Sequence, residues 1–173
     1  MFDTAAYSAV ETLADGRPIE IRAFRPDDRP AFVAAADEVG PRSRYLRFFT
    51  LKREFSDKER EFFLNVDFDK HVALVAIAEE AGQKPIVGAG RYVQVVPGKA
   101  EVAFTVIDRY QGRGIGASLV RHLVIVARNA GLHELIAEVL PENKSMLRLF
   151  QKSGAPVRIA SEPDVVHVTL QLR

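Results

Sequence analysis

The chain has 173 residues, 47% of them hydrophobic, which is enough for one ordinary domain with a sizeable core. Its 24 lysines and arginines nearly cancel 23 acids, and the formal charge of +1 argues against a nucleic-acid partner held electrostatically. There are no cysteines, which excludes disulfide scaffolding, thiolate metal sites and an acyl-cysteine intermediate, and fits a reducing cytoplasm.

The opening MFDTAAYSAVETLADG carries Asp3, Glu11 and Asp15 and no basic leader, so it does not read as an export signal. No segment approaches the roughly 20 apolar residues of a membrane-spanning helix. The expectation is a single cytoplasmic domain over residues 1–173, peripheral over 1–17 and with its core over about 19–172. After the turn at 14–16, Ile19, Ile21 and Ala23 alternate with Glu20 and Arg22, a strand pattern. Pro26 ends it. Asp27 or Asp28 can begin a helix with Pro30 in its first turn, carrying Phe32, Ala35, Ala36 and Val39 as an apolar stripe until Gly40-Pro41.

Residues 42–55 interleave arginines and lysines with Tyr45, Phe48, Phe49 and Phe55. Three readings stand open: a nucleic-acid strip, an amphipathic segment with its aromatics inward, and a substrate-facing wall. The charge balance favours the second. Ser56 and Glu59 form a capping-box signature for a helix that buries Phe62, Phe63 and Val66.

Strands at 71–79, 86–96 and 100–108 are joined by short polar turns and predict an antiparallel meander. A helix from about Gly114 to Ala130 packs through Ile115, Leu119, Leu123, Val126, Ala127 and Ala130, and Gly131 suits its C-terminal end. LIAEVL at 135–140 reads as a buried strand. Asn143 can cap a second helix carrying Met146, Leu147, Leu149 and Phe150. Two C-terminal strands complete a mixed, mainly antiparallel α/β sheet with one strand–helix–strand crossover, which is not a doubly wound dinucleotide fold. An edge strand or the apolar VVHVTLQL near the C-terminus could support a homodimer.

The sharpest signal is Gln111-Gly112-Arg113-Gly114-Ile115-Gly116, placed between a strand and the long helix. Three glycines allow a tight turn and close approach of amides to a ligand, and a helix N-terminus favours phosphate. A plain glycine-rich turn is the competing reading. Gly114 is not followed by Lys-Ser or Lys-Thr, so this is no kinase-type phosphate loop, and the glycine spacing misses the dinucleotide fingerprint.

This strand, turn and helix, FTVIDRYQGRGIGASLVRHLVIVAR at 104–128, resembles the GNAT superfamily of acyl-CoA-dependent N-acetyltransferases. The resemblance implies acetyl-CoA as acyl donor and no metal. It implies pyrophosphate contacts at Gln111, Gly112, Arg113, Gly114, Ile115, Gly116 and Ala117, with backbone at Phe104, Thr105 and Val106 pairing with pantetheine. Asn143, Met146 and Phe150 fall on what is similar to the family's coenzyme-contact helix. The phrases IRAFRPDDRPAF, SRYLRFF, HVALVA, IVGAGRY, AEVAFTV and VLPENKSMLRLFQKSG are similar to the acetyltransferase domain of bacterial protein-lysine acetyltransferases that act on acyl-CoA synthetases. That likeness implies a protein lysine as acceptor, with small-molecule amine transfer and a non-catalytic coenzyme-binding module as alternatives.

Amine acetylation needs a neutral nucleophile, whereas a lysine has a pKa near 10.4, so a base is required. Glu101 is the candidate, sharing a strand face with Ala103 and Thr105. From the residues alone the plainer reading is an exposed or structurally paired carboxylate; the resemblance makes it the base, whose pKa partial burial would raise. His71 is the rival, although a structural histidine at a strand start is the plainer reading. His122 is expected on the polar side of the long helix, and His133 and His167 show no metal-ligand spacing with the others. Where many members of the family carry a tyrosine that protonates the departing thiolate, this chain has Phe150. Tyr45 and Tyr110 are substitutes by residue type.

Overall fold

The computed structural model describes residues 2–38, 58, 61 and 64–173. In chain order the elements are β1 (Ser8–Thr12), β2 (Pro18–Ala23), α1 (Arg29–Asp37), β3 (His71–Ala78), β4 (Ile86–Val96) and β5 (Lys99–Val106). There follow α2 (Ile115–Asn129), β6 (Glu134–Val139), α3 (Lys144–Gln151), β7 (Val157–Ser161) and β8 (Val166–Gln171). The strands form one eight-stranded sheet in the order β1-β2-β3-β4-β5-β6-β8-β7. Each neighbouring pair is antiparallel except β5 with β6, which the α2 crossover makes parallel. This is the mixed, mainly antiparallel fold that the sequence predicts.

Central β3 is buried at all 8 positions, as its unbroken apolar run requires of a strand covered on both faces. On one face lies α2, whose Leu119 and Leu123 have no exposed surface. Each such leucine contributes about 2 kcal/mol of burial free energy. The helix ends at Asn129, so Ala130, expected in the packing face, is instead the exposed C-cap, and Gly131 follows with φ 86°. On the opposite face α1 lies against β4, and Phe32 sets its ring 5.7 Å beneath the buried Arg91 guanidinium.

The N-terminal residues, expected to be peripheral, supply the edge strand β1, paired with β2 from Ser8↔Arg22 to Thr12↔Pro18. This strand changes the surroundings of α2. His122, expected on the polar side of that helix, is 8% exposed, with Nδ1 2.5 Å from the Tyr7 hydroxyl and Nε2 3.3 Å from Glu11 Oε2. Asp28 precedes α1 as expected, yet its side chain does not cap the helix. It accepts two hydrogen bonds from Arg22, at 2.7 and 2.8 Å, and one from the Arg25 amide at 2.7 Å. A bidentate guanidinium outcompetes a capping amide here because both charges are buried.

The basic-aromatic segment 42–55, the Ser56–Glu59 capping box, Phe62 and Phe63 lie outside the described residues. Lys58, Glu61 and Leu64 are helical. No described helix is long and apolar enough to cross a membrane.

Candidate active site

The parallel pair is short. β5 and β6 share Lys99↔Glu134, Ala100↔Leu135 and Glu101↔Ile136, then separate, although β5 runs on to Val106 and β6 to Val139. The parting opens a cleft of about 640 Å³. Residues 102–106 line one wall and Ala137, Glu138 and Val139 the other, with the start of α2 and the inner side of α3 closing the sides.

Strand geometry decides which backbone groups face this cleft. The Ile107 amide donates to the Val87 carbonyl across the β4–β5 pair at 2.9 Å. Alternation then turns Thr105 toward β4 as well, and leaves the N–H and C=O groups of Phe104 and Val106 on the unpaired edge. Of the three residues expected to offer backbone to a pantetheine arm, Phe104 and Val106 turn their backbone groups to the open edge, while those of Thr105 turn to β4. The Gln111 side-chain amide already donates to the Val106 carbonyl at 3.0 Å, and a carbonyl has a second lone pair to give.

At the wide end, Gly114 takes φ 90° as the N-cap of α2, a left-handed conformation that glycine adopts without a Cβ penalty. With no side chain to cap the helix, its first bond runs from Ser118 N to Gly114 O at 3.1 Å. The amides of Ile115, Gly116 and Ala117 therefore have no carbonyl one turn earlier to pair with. These three residues line the cleft together with Gln111, Gly112 and Gly114. Such a cradle, at the positive end of a helix dipole, fits a pyrophosphate.

Arg113 does not join them. Its guanidinium lies 4.7 Å over the Tyr110 ring and 3.8 Å from Asp15, turned outward onto the turn's own support. Only its backbone belongs to the cradle. Tyr110, which sequence reading placed among substitute acids, lines the cleft but donates its hydroxyl proton to Glu80 at 2.5 Å. That bond, together with burial, raises the phenol above its usual pKa. The same carboxylate of Glu80 also holds Arg109, and Arg109 reaches Glu38 at 2.9 Å. The proton is thus committed to a network behind the turn. Tyr45 lies outside the described residues.

Asn143 caps α3 by accepting the Met146 amide at 3.2 Å, and Asn143, Met146 and Phe150 all line the cleft. Phe150 is 1% exposed, its ring 6.0 Å from Phe104 in an edge-on contact. Nothing at this position can donate a proton. Sequence reading put the strand at 135–140 on the far side of the cleft but named none of its residues: Ala137, Glu138 and Val139 on β6, with Lys144 and Arg148 on α3 and Lys152 at its C-cap. The three cations recur every fourth residue, a one-face helical spacing that was visible in the sequence.

Glu101 stands next to the first lining residue, at the apex of the cleft, as the last residue of β5 paired with β6, and it is exposed. His71 sits two strands away on the same face, through the ladder His71↔Val93↔Glu101. It is buried, its Nδ1 3.1 Å from the Asn65 carbonyl and its Nε2 2.7 Å from Arg91 Nη1. Arg91 has only protons to offer, so Nε2 is the acceptor and its lone pair is occupied. Burial, and Arg91 after it, lower the imidazole's pKa. His71 is a satisfied structural histidine, as its plainer reading held. Among the described residues no group of three His, Asp or Glu side chains could hold a metal ion.

The sequence matches the model of the acetyltransferase (GNAT) family over residues 40–155. It is 34% identical over 138 residues to an acetyltransferase of Pseudomonas aeruginosa, spanning 79% of this chain and 74% of that protein. It is 31% identical over 137 residues to the acetyltransferase Pat of Mycolicibacterium smegmatis, spanning 78% of this chain but 40% of that protein. Among solved structures, the GNAT domain of S. lividans PAT aligns with a TM-score of 0.84 at 32% identity, over 95% of this chain and 96% of that one.

Proposed function

The chain belongs to the acetyltransferase (GNAT) family, which moves acetyl groups from acetyl-CoA to amines, and from that premise we propose that its acceptor is a protein lysine. The observation that carries the donor half is the unpaired edge of β5 followed, after the glycine turn, by the uncapped start of α2. In this reading the amides of 112–117 take the pyrophosphate, Phe104 and Val106 pair with the pantetheine arm, and Asn143, Met146 and Phe150 close over it.

At the apex, Glu101 takes a proton from the incoming ammonium, directly or through water, since it is exposed. The freed amine attacks the thioester carbonyl: a C–N bond forms, the C–S bond breaks, and sulfur leaves with the electron pair. In this reading the Phe104 amide on the open edge stabilises the developing oxyanion. A thiol of ordinary pKa near 8.5 is a competent leaving group at neutral pH, so water suffices as its proton source.

The likenesses to Pat and to the PAT domain support the protein-lysine acceptor, and an acyl-CoA synthetase is the protein to try first. Second-order transfer rates to such a synthetase, to spermidine and to free lysine, at matched pH, test it. Faster transfer to the synthetase at a discrete lysine mapped by peptide mass supports the reading. Faster transfer to the small amines, with no discrete lysine modified, overturns it and leaves the coenzyme site standing.

A further inference from the structure

We propose that Glu138 on β6 is a specificity-determining residue that favours an acceptor lysine with a second cation two residues away in the same polypeptide segment. This rests on the amine-transfer reading above.

The sheet register places the residue. Gly88 and Gly90 of β4 face Leu119 of α2, and they pair with Val106 and Phe104. The α2 side of β5 therefore carries Phe104 and Val106, and the opposite side carries Glu101, Ala103 and Thr105. Ile136 pairs directly with Glu101, so Ile136 and Glu138 share that second side. Glu138 lies two residues beyond this last pair, on the part of β6 that has parted from β5, and it lines the cleft. Across from it Ala103 and Thr105 carry no charge. An amine reaching Glu101 from this side passes the Glu138 carboxylate, whose side chain is 62% exposed.

Among the described residues the other charges nearby do not cancel it. His167, its ladder partner on β8, stands with Nδ1 3.8 Å from Glu138 and Nε2 3.3 Å from Glu162. One imidazole faces two carboxylates, so even when protonated it offsets only one of them. Lys99 and Arg158 both lie against Glu134, at 3.5 and 3.7 Å, at the closed end of the parallel pair. Arg91 is buried against His71 and the Phe32 ring. Lys144, Arg148 and Lys152 belong to the α3 wall, which packs against α2 on the other side of the sheet. Among the described residues on this side, the mouth between Glu101 and Glu138 is left negative.

The spacing selects the acceptor. Glu138 lies one strand across from Glu101 and two residues further along, about 8 Å or more away. Side chains two apart in an extended segment point the same way about 7 Å apart, close enough for a long cationic side chain to make up the difference. A segment laid along the opening with its lysine at Glu101 sets the side chain two positions away against Glu138. An exposed pair of this kind is worth about a fivefold preference, and salt weakens it.

Two peptides with one acceptor lysine each, bearing Arg or Glu two residues from it, are compared by kcat/KM with the wild-type chain and with Glu138→Lys, at low and high salt. The wild type prefers the Arg peptide about fivefold at low salt, less at high salt, and the variant reverses the order. Because each preference is a ratio on one enzyme, loss of folding or of acetyl-CoA affinity cannot produce the reversal. An unchanged ratio in the variant, or a wild-type preference for the Glu peptide, overturns the proposal. So does transfer to free amines with neither peptide modified, which leaves amine transfer itself intact. Intact acetyl-CoA binding with no amine acetylated at all overturns both.

Discussion

Glu101 stands opposite Ile136 in the last pair that β5 and β6 share. The residue is thus fixed where the β5–β6 ladder ends and the cleft begins, with backbone paired to β6 below it and an open edge above. A strand-borne side chain at such a point is held more firmly than one on a loop, although it remains exposed to solvent.

That position predicts the effect of removing its charge. Glu101→Gln keeps the side chain's shape and leaves acetyl-CoA affinity, measured by calorimetry, within about twofold of the wild type. Transfer at pH 7 falls roughly 10²–10⁴-fold and partly recovers at high pH, where more of the acceptor amine is neutral. Near-normal turnover at pH 7 would take the base role away from Glu101. His71, with its lone pair bound to Arg91, would not inherit it.

Gly114→Val tests the phosphate cradle. An added Cβ meets nothing within 4 Å, so any strain comes from the φ of +90° alone. A valine there costs about 1–2 kcal/mol in place or flips the turn, and either outcome misaligns the amides of 115–117. Acetyl-CoA affinity drops at least about tenfold while the circular dichroism stays native. Unchanged affinity in the folded variant would remove the turn from the binding site.

Tyr110→Phe separates a supporting role from an acid role. Its hydroxyl is bound to Glu80, behind the glycine turn, and not turned on the apex of the cleft. Losing that bond loosens the turn by about 1 kcal/mol, which raises KM for acetyl-CoA several-fold and leaves kcat unchanged. A large fall in kcat at constant KM would instead assign Tyr110 the leaving-group proton.

Two buried groups predict loss of stability in acid. Burial, followed by Arg91, depresses the His71 imidazole below its ordinary 6.5. The unfolded chain therefore takes up that proton first, and stability starts to decline as pH falls below about 6.5. Burial pushes the Asp28 carboxyl up, but its bonds from Arg22 and the Arg25 amide outweigh this and hold it below the usual range. Its contribution is whole above about pH 4 and is lost as pH falls through the folded value. Urea midpoints from pH 7 to 3 should show both stages. Asp28→Asn should cost about 3 kcal/mol at pH 7 and remove the lower one. A flat profile from pH 7 to 5 would contradict the buried, neutral His71.

Much of this architecture is local and was legible in the residues. Alternation in IEIRAF, the unbroken run of HVALVAIA, the heptad-like face from Ile115 to Ala127 and the Asn143 cap each report their element through periodicity or capping alone. The glycine turn was legible because backbone conformation at Gly114 leaves few other residues able to stand there.

What pairs with what was not legible. Nothing in SAVET says that it will close the sheet edge and bury His122, because that depends on a helix more than a hundred residues away. Arg113 and Tyr110 sit in the recognisable turn, yet their side chains answer to Asp15 and Glu80 from distant hairpins. Glu138 lies in an ordinary buried-strand pattern, and only the early end of the β5–β6 ladder turns it toward the cleft. The sequence by itself determined the described elements from β2 onward, their order and the glycine turn, since each follows from backbone and periodicity within a few residues. Tertiary structure decided which strand edges stayed open and which charges faced them, because register and side-chain partnership are set by contacts between segments far apart in the chain.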